Sequence, residues 1–344
     1  MNKIAELCRD LKKDFKPKIQ NPTKPVACWS EKDVLDGSVT DAFVIIFRTQ
    51  GCSWALNSGC SMCGYFNDSL WAKTSDEDIL KQFETVMNRY KDEKFVKIFT
   101  SGSFLDDKEI SPKVRKKILE TLAKTADKIS VESRPEYITE KTLVEIKKII
   151  GSKIFEIGIG LEAADDDVRK NYVNKGFTFN DYKKAAKLLK KHGFKLKTYV
   201  LIKPPFLSEK ESIDDAVKTV DKIKNITDTI SFNPVNIQKN TLVDSLWKQK
   251  KYRPPWLWSI IEILKNSKKT APDVFIKCDI SGGGKIRGAH NCKLCSYDFL
   301  DKIGEFSLSQ NTSVFKNLKC SCYEKYLDQL DLENISFGSI IDVG

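Results

Sequence analysis

Residues 49–69 read TQGCSWALNSGCSMCGYFNDS and bring Cys52, Cys60 and Cys63 into one loop rich in Ser, Gly and Asn. Three thiols cannot pair off as disulfides, and a closed structural zinc site takes four ligands. Three thiolates do suit a [4Fe–4S] cluster in which one iron is left without a protein ligand. An open iron of that kind can chelate the amino and carboxylate groups of S-adenosylmethionine. Electron transfer from the cluster to the sulfonium then breaks a C–S bond and makes a deoxyadenosyl radical. The competing reading is a zinc site that takes its fourth ligand from elsewhere in the chain.

A second group of thiols lies in CDISGGGKIRGAHNCKLC (278–295) and CSC (320–322). Cys292-x2-Cys295 has the spacing of a metal knuckle, and Cys320 and Cys322 can complete a four-coordinate site. Cys278 or His290 can replace one of that second pair, and the sequence does not choose between them. Zn2+ is the preferred occupant, with a second iron–sulfur cluster or unligated thiols as alternatives. SGGGKIRG lacks the GxxxxGK[ST] pattern of a phosphate-binding loop. Its glycines expose backbone N–H groups, and Lys285 and Arg287 add charge, so phosphate contact on RNA is expected there. Cys8 and Cys28 stand alone and read as ordinary buried thiols.

The elements that must position these groups alternate. Apolar, β-branched runs at 41–49, 94–100, 128–133, 153–162, 195–203 and 228–235 read as buried strands. Helix-period segments at 75–90, 111–124, 138–150, 180–193 and 209–224 separate them, with Ser75 and Ser111 as caps. Six such units predict an α/β fold, a partial (β/α)6 barrel over residues 41–244. Residues 1–40 form an N-terminal extension. Residues 245–344, with RPPWLW (253–258), a helix at 259–267 and the second cysteine group, form a small Cys-rich module. RPPWLW and the basic loop make that module the expected RNA surface, through stacking and phosphate contacts.

Barrels of this kind carry function at the C-terminal ends of their strands. The first strand runs straight into the three-cysteine loop. The later strands end in TSGSF (100–104), ESRPE (132–136), GIGLEAA (158–164), LIKPPF (201–206) and NPVNIQ (233–238). The remaining strand positions read as apolar. Lys203 is a candidate for a substrate carboxylate or phosphate, and Asn233 and Asn236 for lining a substrate pocket.

The chain has 344 residues, 41% of them hydrophobic and 31% charged, enough for a sizeable core on a polar exterior. With 58 Lys and Arg against 47 Asp and Glu, the net charge of +11 suits a polyanionic partner such as RNA. The amphipathic N-terminus lacks the apolar core of a signal peptide, and no segment has the run of apolar residues that a membrane span needs. These features predict a cytoplasmic protein with no membrane association. Ten cysteines in that setting point to metal rather than to disulfides.

With the three-cysteine loop at the end of the first strand, the sequence resembles the radical S-adenosylmethionine superfamily. That superfamily's usual spacing is C-x3-C-x2-C. Here it is Cys52-x7-Cys60-x2-Cys63, and the longer gap resembles the branch that holds the radical subunit of Elongator. Tyr65 resembles the aromatic found near the cluster. Four segments in order, GCSW…GCSMCGYFNDS, ESRPE, EIGIGLE and RGAHNCKLC, look like the archaeosine-forming family of radical enzymes, and the likeness covers most of residues 40–325.

The resemblance implies that Cys52, Cys60 and Cys63 hold the [4Fe–4S] cluster. It implies that Ser101 and Gly102 hold the methionyl amino group, and that Glu132 and Arg134 meet the ribose and carboxylate of S-adenosylmethionine. Glu162 is implied at the ribose or the substrate, with a helix N-terminal acid as the alternative. The activity implied is lyase-type tRNA modification. A partner, the lysine-transferring subunit of archaeosine synthase, attaches lysine to a deazaguanine nitrile in the tRNA D-loop. The radical enzyme then cleaves a C–N bond to leave the amidine. A ferredoxin- or flavodoxin-type electron donor is implied as well. Radical methylthiolation of tRNA is an alternative, but its enzymes carry a second three-cysteine set near the N-terminus. A non-catalytic zinc protein that binds RNA is the alternative from another class.

Overall fold

The computed structural model describes residues 3–13 and 15–335. Eight strands form a single sheet in chain order. β1 (Ala27–Leu35) and β2 (Ser38–Ile46) make an antiparallel hairpin. From β2 the sheet is parallel through β3 (Phe95–Phe99), β4 (Lys128–Glu132), β5 (Ile154–Glu162), β6 (Lys195–Ile202), β7 (Thr229–Pro234) and β8 (Phe275–Cys278). The six expected strands are β2 to β7. The expected partial barrel is present in these six, and the sheet gains one further strand at each edge. β1 is turned back onto β2 by Asp36 and Gly37, both at positive φ (49° and 78°), as a two-residue hairpin turn requires. β8 has only four residues, FIKC, too few to show a period.

Five crossover helices follow as expected: α3 (Asp76–Met87), α4 (Pro112–Leu122), α5 (Glu140–Ile150), α6 (Phe179–Lys191) and α7 (Glu209–Ile223). Each begins on a Ser or Thr whose hydroxyl accepts from the third helical N–H, and those of α3, α6 and α7 are full capping boxes. α8 (Leu242–Lys248) and α9 (Leu257–Thr270) lead from β7 to β8, and α10 (Ser296–Ser309) and α11 (Cys322–Ile335) follow. Two short helices precede the barrel crossovers: α1 (Lys3–Asp10) and α2 (Ser53–Asn57). Among the described residues no helix is long and apolar enough to cross a membrane.

Strand alternation sorts the residues between two faces. Val96, Ile98, Ile129, Val131, Phe155, Ile157, Leu196, Val200, Ile230 and Phe232 share one core with helix residues such as Ile118, Leu143, Leu189 and Val220. The intervening residues meet one another inside the curled sheet. Lys197 and Lys128 pair with Glu156 at 3.2 and 2.9 Å, and Ser130 donates to the same carboxylate at 2.8 Å. Lys97 pairs with Glu31 at 2.6 Å, and Lys277 with Asp33 at 2.7 Å. The strand positions are therefore not uniformly apolar: one face packs on helices, and the other carries a layer of paired charges beneath the cavity.

Candidate active site and cysteine centre

A cavity of about 220 Å³ opens over the C-terminal ends of the strands. Cys52, Cys60 and Cys63 line it together with Ser101, Gly102, Glu132, Arg134 and Glu162. Asn233 and Asn236 line it too. Strand polarity explains the gathering, since a parallel sheet delivers every post-strand loop to the same rim.

The seven residues between Cys52 and Cys60 are folded. Five of them form α2, the helical turn SWALN. The Trp54 indole donates to the Asn174 carbonyl at 2.7 Å. The Asn174 amide in turn donates to Ser58 Oγ (2.8 Å) and the Gly59 carbonyl (2.7 Å). The Ser61 amide bonds the Val173 carbonyl at 2.9 Å, and Gln238 accepts from the Gly64 amide at 2.5 Å. The loop is thus stitched to the segments that follow β5 and β7.

Gly102 lies against the first cysteine. A Cβ there would stand 2.7 Å from the Cys52 Cα, so only glycine allows this approach. The TSGS turn is held from below by Glu109, which accepts from Thr49 Oγ1 at 2.6 Å and from the Ser103 amide at 2.5 Å. Burial pushes the Glu109 carboxyl up to about 7, against those hydrogen bonds.

Arg134 and Glu162 are both partnered. Arg134 donates to Glu136 (2.5 Å) and to the Lys175 carbonyl (2.9 Å), with its guanidinium near Trp54 and Phe177. Glu162, at φ 68°, pairs with Lys175 at 2.6 Å. Burial works against the Lys175 charge, but Glu162 and Cys60 hold it raised. Burial also raises the Glu132 carboxyl, which the Tyr199 hydroxyl and nearby lysines oppose. The Asn233 Oδ1 is buried without a partner and lines the cavity, so it can accept from a ligand.

The donor set fits the implied cluster. Burial pushes the Cys63 thiol up to about 12 and raises Cys60 as well, so their thiolates require a compensating positive charge at neutral pH. Lys175 supplies part of it, and coordinated iron would supply the rest. No fourth cysteine lines this cavity.

Several residues here had no distinct sequence signal. Lys175, Phe177, Tyr199, Asp279 and Ser281 all line the cavity. Tyr199 sits mid-strand among apolar residues, and Lys175 is one lysine in a lysine-rich chain. Asp279 was legible in principle, as the residue that follows a strand into a glycine-rich turn.

Other expectations are corrected. Lys203 is fully buried, with its ammonium 3.2 Å from Glu209 and 3.9 Å from Glu333. It sits at φ 62°, which turns its side chain away from the rim toward α7 and α11, and it is not among the cavity-lining residues. Arg287 is committed to Asp244 (2.6 Å) and the Ile237 carbonyl (3.0 Å) and lies over Trp247, so it acts as an internal tie. Lys285 is exposed. Trp256 is buried, with Arg253 stacked 3.8 Å from its ring centre, and Trp258 packs on Phe299 and Tyr323. These two rings of RPPWLW are used in packing rather than offered to bases.

The second cysteine group is resolved into a set of four. Cys292, Cys295, Cys320 and Cys322 bring their sulfurs within 4.8 Å of one another. Neighbouring pairs stand at 3.6 Å (292–295), 3.5 Å (292–320) and 3.7 Å (295–322). Cys278 is outside the set: its sulfur is not among the four that gather, although it is buried in the same core as Cys295 and Cys322. His290 is outside the set too, with Nδ1 at 2.7 Å from the Gly288 carbonyl.

A family model described as the radical SAM superfamily matches residues 46–220. Archaeosine synthase subunit beta of Methanosarcina acetivorans is 41% identical over 338 residues, covering 96% of this chain and 97% of the relative. The protein of the same name from Thermococcus kodakarensis is 40% identical over 306 residues, covering 87% and 94%. The crystal structure of a radical SAM methyltransferase from Sphaerobacter thermophilus superposes with a TM-score of 0.51 at 12% identity, over 79% of this chain and 81% of that one, a likeness of fold. The chain belongs to the radical SAM superfamily, with archaeosine synthase beta subunits among its full-length relatives.

Proposed function

We propose that this chain is the radical subunit that completes archaeosine in tRNA, cleaving a C–N bond of a lysine adduct on 7-deazaguanine. The observation that carries the reading is the union of a three-thiol cavity with similarity to archaeosine synthase beta subunits along nearly the whole chain. The partner is the lysine-transferring subunit, and the electron donor is of the ferredoxin or flavodoxin class.

Cys52, Cys60 and Cys63 would hold a [4Fe–4S] cluster, with Ser101, Gly102, Glu132, Arg134 and Glu162 around S-adenosylmethionine. Bound together, these groups supply hydrogen-atom abstraction from a C–H bond that no general base could deprotonate. The protein's own residues position and insulate. Gly102 brings the TSGS turn against the cysteine loop, and Glu109 fixes that turn. Lys175 and Glu162 pair at 2.6 Å, which fixes the orientation of both side chains at the rim. Asn233 and Asn236 would meet the adduct, a role supported by their place in the cavity lining and by the unpartnered Asn233 oxygen.

Zn2+ is the proposed occupant of the four-sulfur centre. A tetrahedron with Zn–S bonds of about 2.3 Å has sulfur–sulfur edges of about 3.8 Å. Three of the six edges stand at 3.5–3.7 Å and all are within 4.8 Å, in keeping with one central ion. A cubane spreads its irons over four corners and holds its ligand sulfurs farther apart.

The test is direct. Reconstituted enzyme, S-adenosylmethionine, a reductant and tRNA bearing the lysine adduct should yield archaeosine nucleoside by mass spectrometry. A Cys60→Ala variant should yield none and should lose the cluster absorbance. Adduct that persists with wild-type enzyme while deoxyadenosine accumulates would refute the substrate assignment.

A further inference from the structure

α1 lies outside the barrel, but the turn that follows it reaches the three-cysteine loop. Lys12 donates from Nζ to the carbonyls of Ala55 (2.9 Å) and Ser58 (2.5 Å). Ala55 lies in α2 and Ser58 caps its C-terminal end, where carbonyls lack intrahelical partners. The same ammonium stands 4.9 Å from the centre of the Phe66 ring. Ser58 Oγ donates back to the Ala5 carbonyl of α1 at 3.1 Å. At Gly59 a side chain would run into the Lys12 ammonium, so the absence of a Cβ there makes the contact possible. Burial lowers the Lys12 pKa and outweighs the negative charge on Cys8, Cys63, Cys60 and Cys52, which opposes it. Gly59 immediately precedes Cys60, so the ammonium sits against the cysteine loop itself.

We propose that Lys12 is a positioning residue of the cluster site, clamping the gap between Cys52 and Cys60 and setting a fixed positive charge beside the three thiolates. Reduction adds negative charge to a bound cluster, and a nearby cation in a partly dry site stabilises that state. The seven-residue gap then has a physical use. It supplies the carbonyls that draw a cation from outside the barrel to the cluster's flank. This role rests on the reading of the cavity as a [4Fe–4S] site.

Wild type, Lys12→Met, Lys12→Gln and Lys12→Arg are reconstituted anaerobically, and iron content and midpoint potential are measured by EPR-monitored titration. Gln keeps an N–H donor for the loop carbonyls and removes the charge, on a side chain one atom shorter. The Met and Gln variants should titrate at more negative potential than wild type, and Arg should return toward it. Met should also release iron to a chelator several-fold faster. Should Met fail to fold, Gln and Arg alone decide. A Gln variant with wild-type iron content and an unmoved midpoint would overturn the proposal. If wild type and Cys60→Ala bind equally little iron, the cluster reading itself has failed.

Discussion

Asp33 on β1 and Lys277 on β8 form an ion pair at 2.7 Å, although these strands are the opposite edges of the sheet. Lys97 of β3 shares the same carboxylate. The half-barrel is thus drawn together across its opening, below the cavity, by side chains where backbone hydrogen bonds do not reach. Asp33→Asn leaves two lysines short of a countercharge and should cost about 3 kcal/mol in urea melts at pH 7. Burial alone would raise the Asp33 carboxyl, but Lys277 and Lys97 overcome it and hold it well below the usual range. Its contribution is present above the unfolded carboxylate pKa of about 4 and is lost as pH falls further. The gap between wild type and variant should therefore narrow below about pH 4.

Glu109 has the opposite sign. Its folded carboxyl is raised to about 7 by burial from the ordinary 4.5. The folded state holds the proton more tightly, so stability falls as pH rises from about 4.5 through about 7, by about 3 kcal/mol. Glu109→Gln keeps an acceptor for the Ser103 amide and should flatten that slope. Thermal unfolding of both proteins from pH 5 to pH 8 checks it, and parallel curves would sink the assignment.

The four-sulfur centre predicts a sharp contrast between cysteines that the sequence left equivalent. Cys320→Ser should abolish bound zinc as measured by elemental analysis and lower the melting temperature. Cys278→Ser should retain one zinc per chain, because that thiol is outside the set of four gathered sulfurs.

Lys203 should behave as a structural cation. Lys203→Met strands Glu209 and Glu333 in the interior, and Glu209 also holds the Trp256 amide and the Ser259 hydroxyl at 2.9 Å each. A loss of about 3 kcal/mol in stability is expected, with KM for tRNA unchanged in the fraction that remains folded. A raised KM at wild-type stability would restore it to the substrate site.

Much of the barrel was legible because its signals are local. Helices α3 to α7 announced themselves through caps and 3.6-residue periodicity, and strands β2 to β7 through β-branched runs. The Asp36-Gly37 turn was an available hairpin signal, obscured because β1 reads ACWSEKDVL, with charges facing the barrel interior. The rim residues Gly102, Glu132, Arg134 and Glu162 were named through the resemblance, and they line one cavity because loops after parallel strands share one side. Lys203 misled because its position at a strand end says nothing of its left-handed backbone, and that backbone decides which way the chain leaves the strand. Lys175, Tyr199 and Lys12 depend on contacts across long sequence separations, which spacing cannot reveal.

The folded turn between Cys52 and Cys60 also separates two events that metal proteins often combine. Its anchors at Trp54, Ser58 and Lys12 are made of protein alone, so the cysteine loop is a finished receptor before iron arrives. The four-sulfur centre is different: it ties Cys292 to Cys320 across α10, and a metal held there would act as a staple on the chain. Stripping iron should leave the circular dichroism spectrum intact and allow repeated refilling, whereas stripping zinc should loosen the C-terminal helices. Oxidative loss of the cluster would then be a repairable injury, mended without unfolding and remaking the protein.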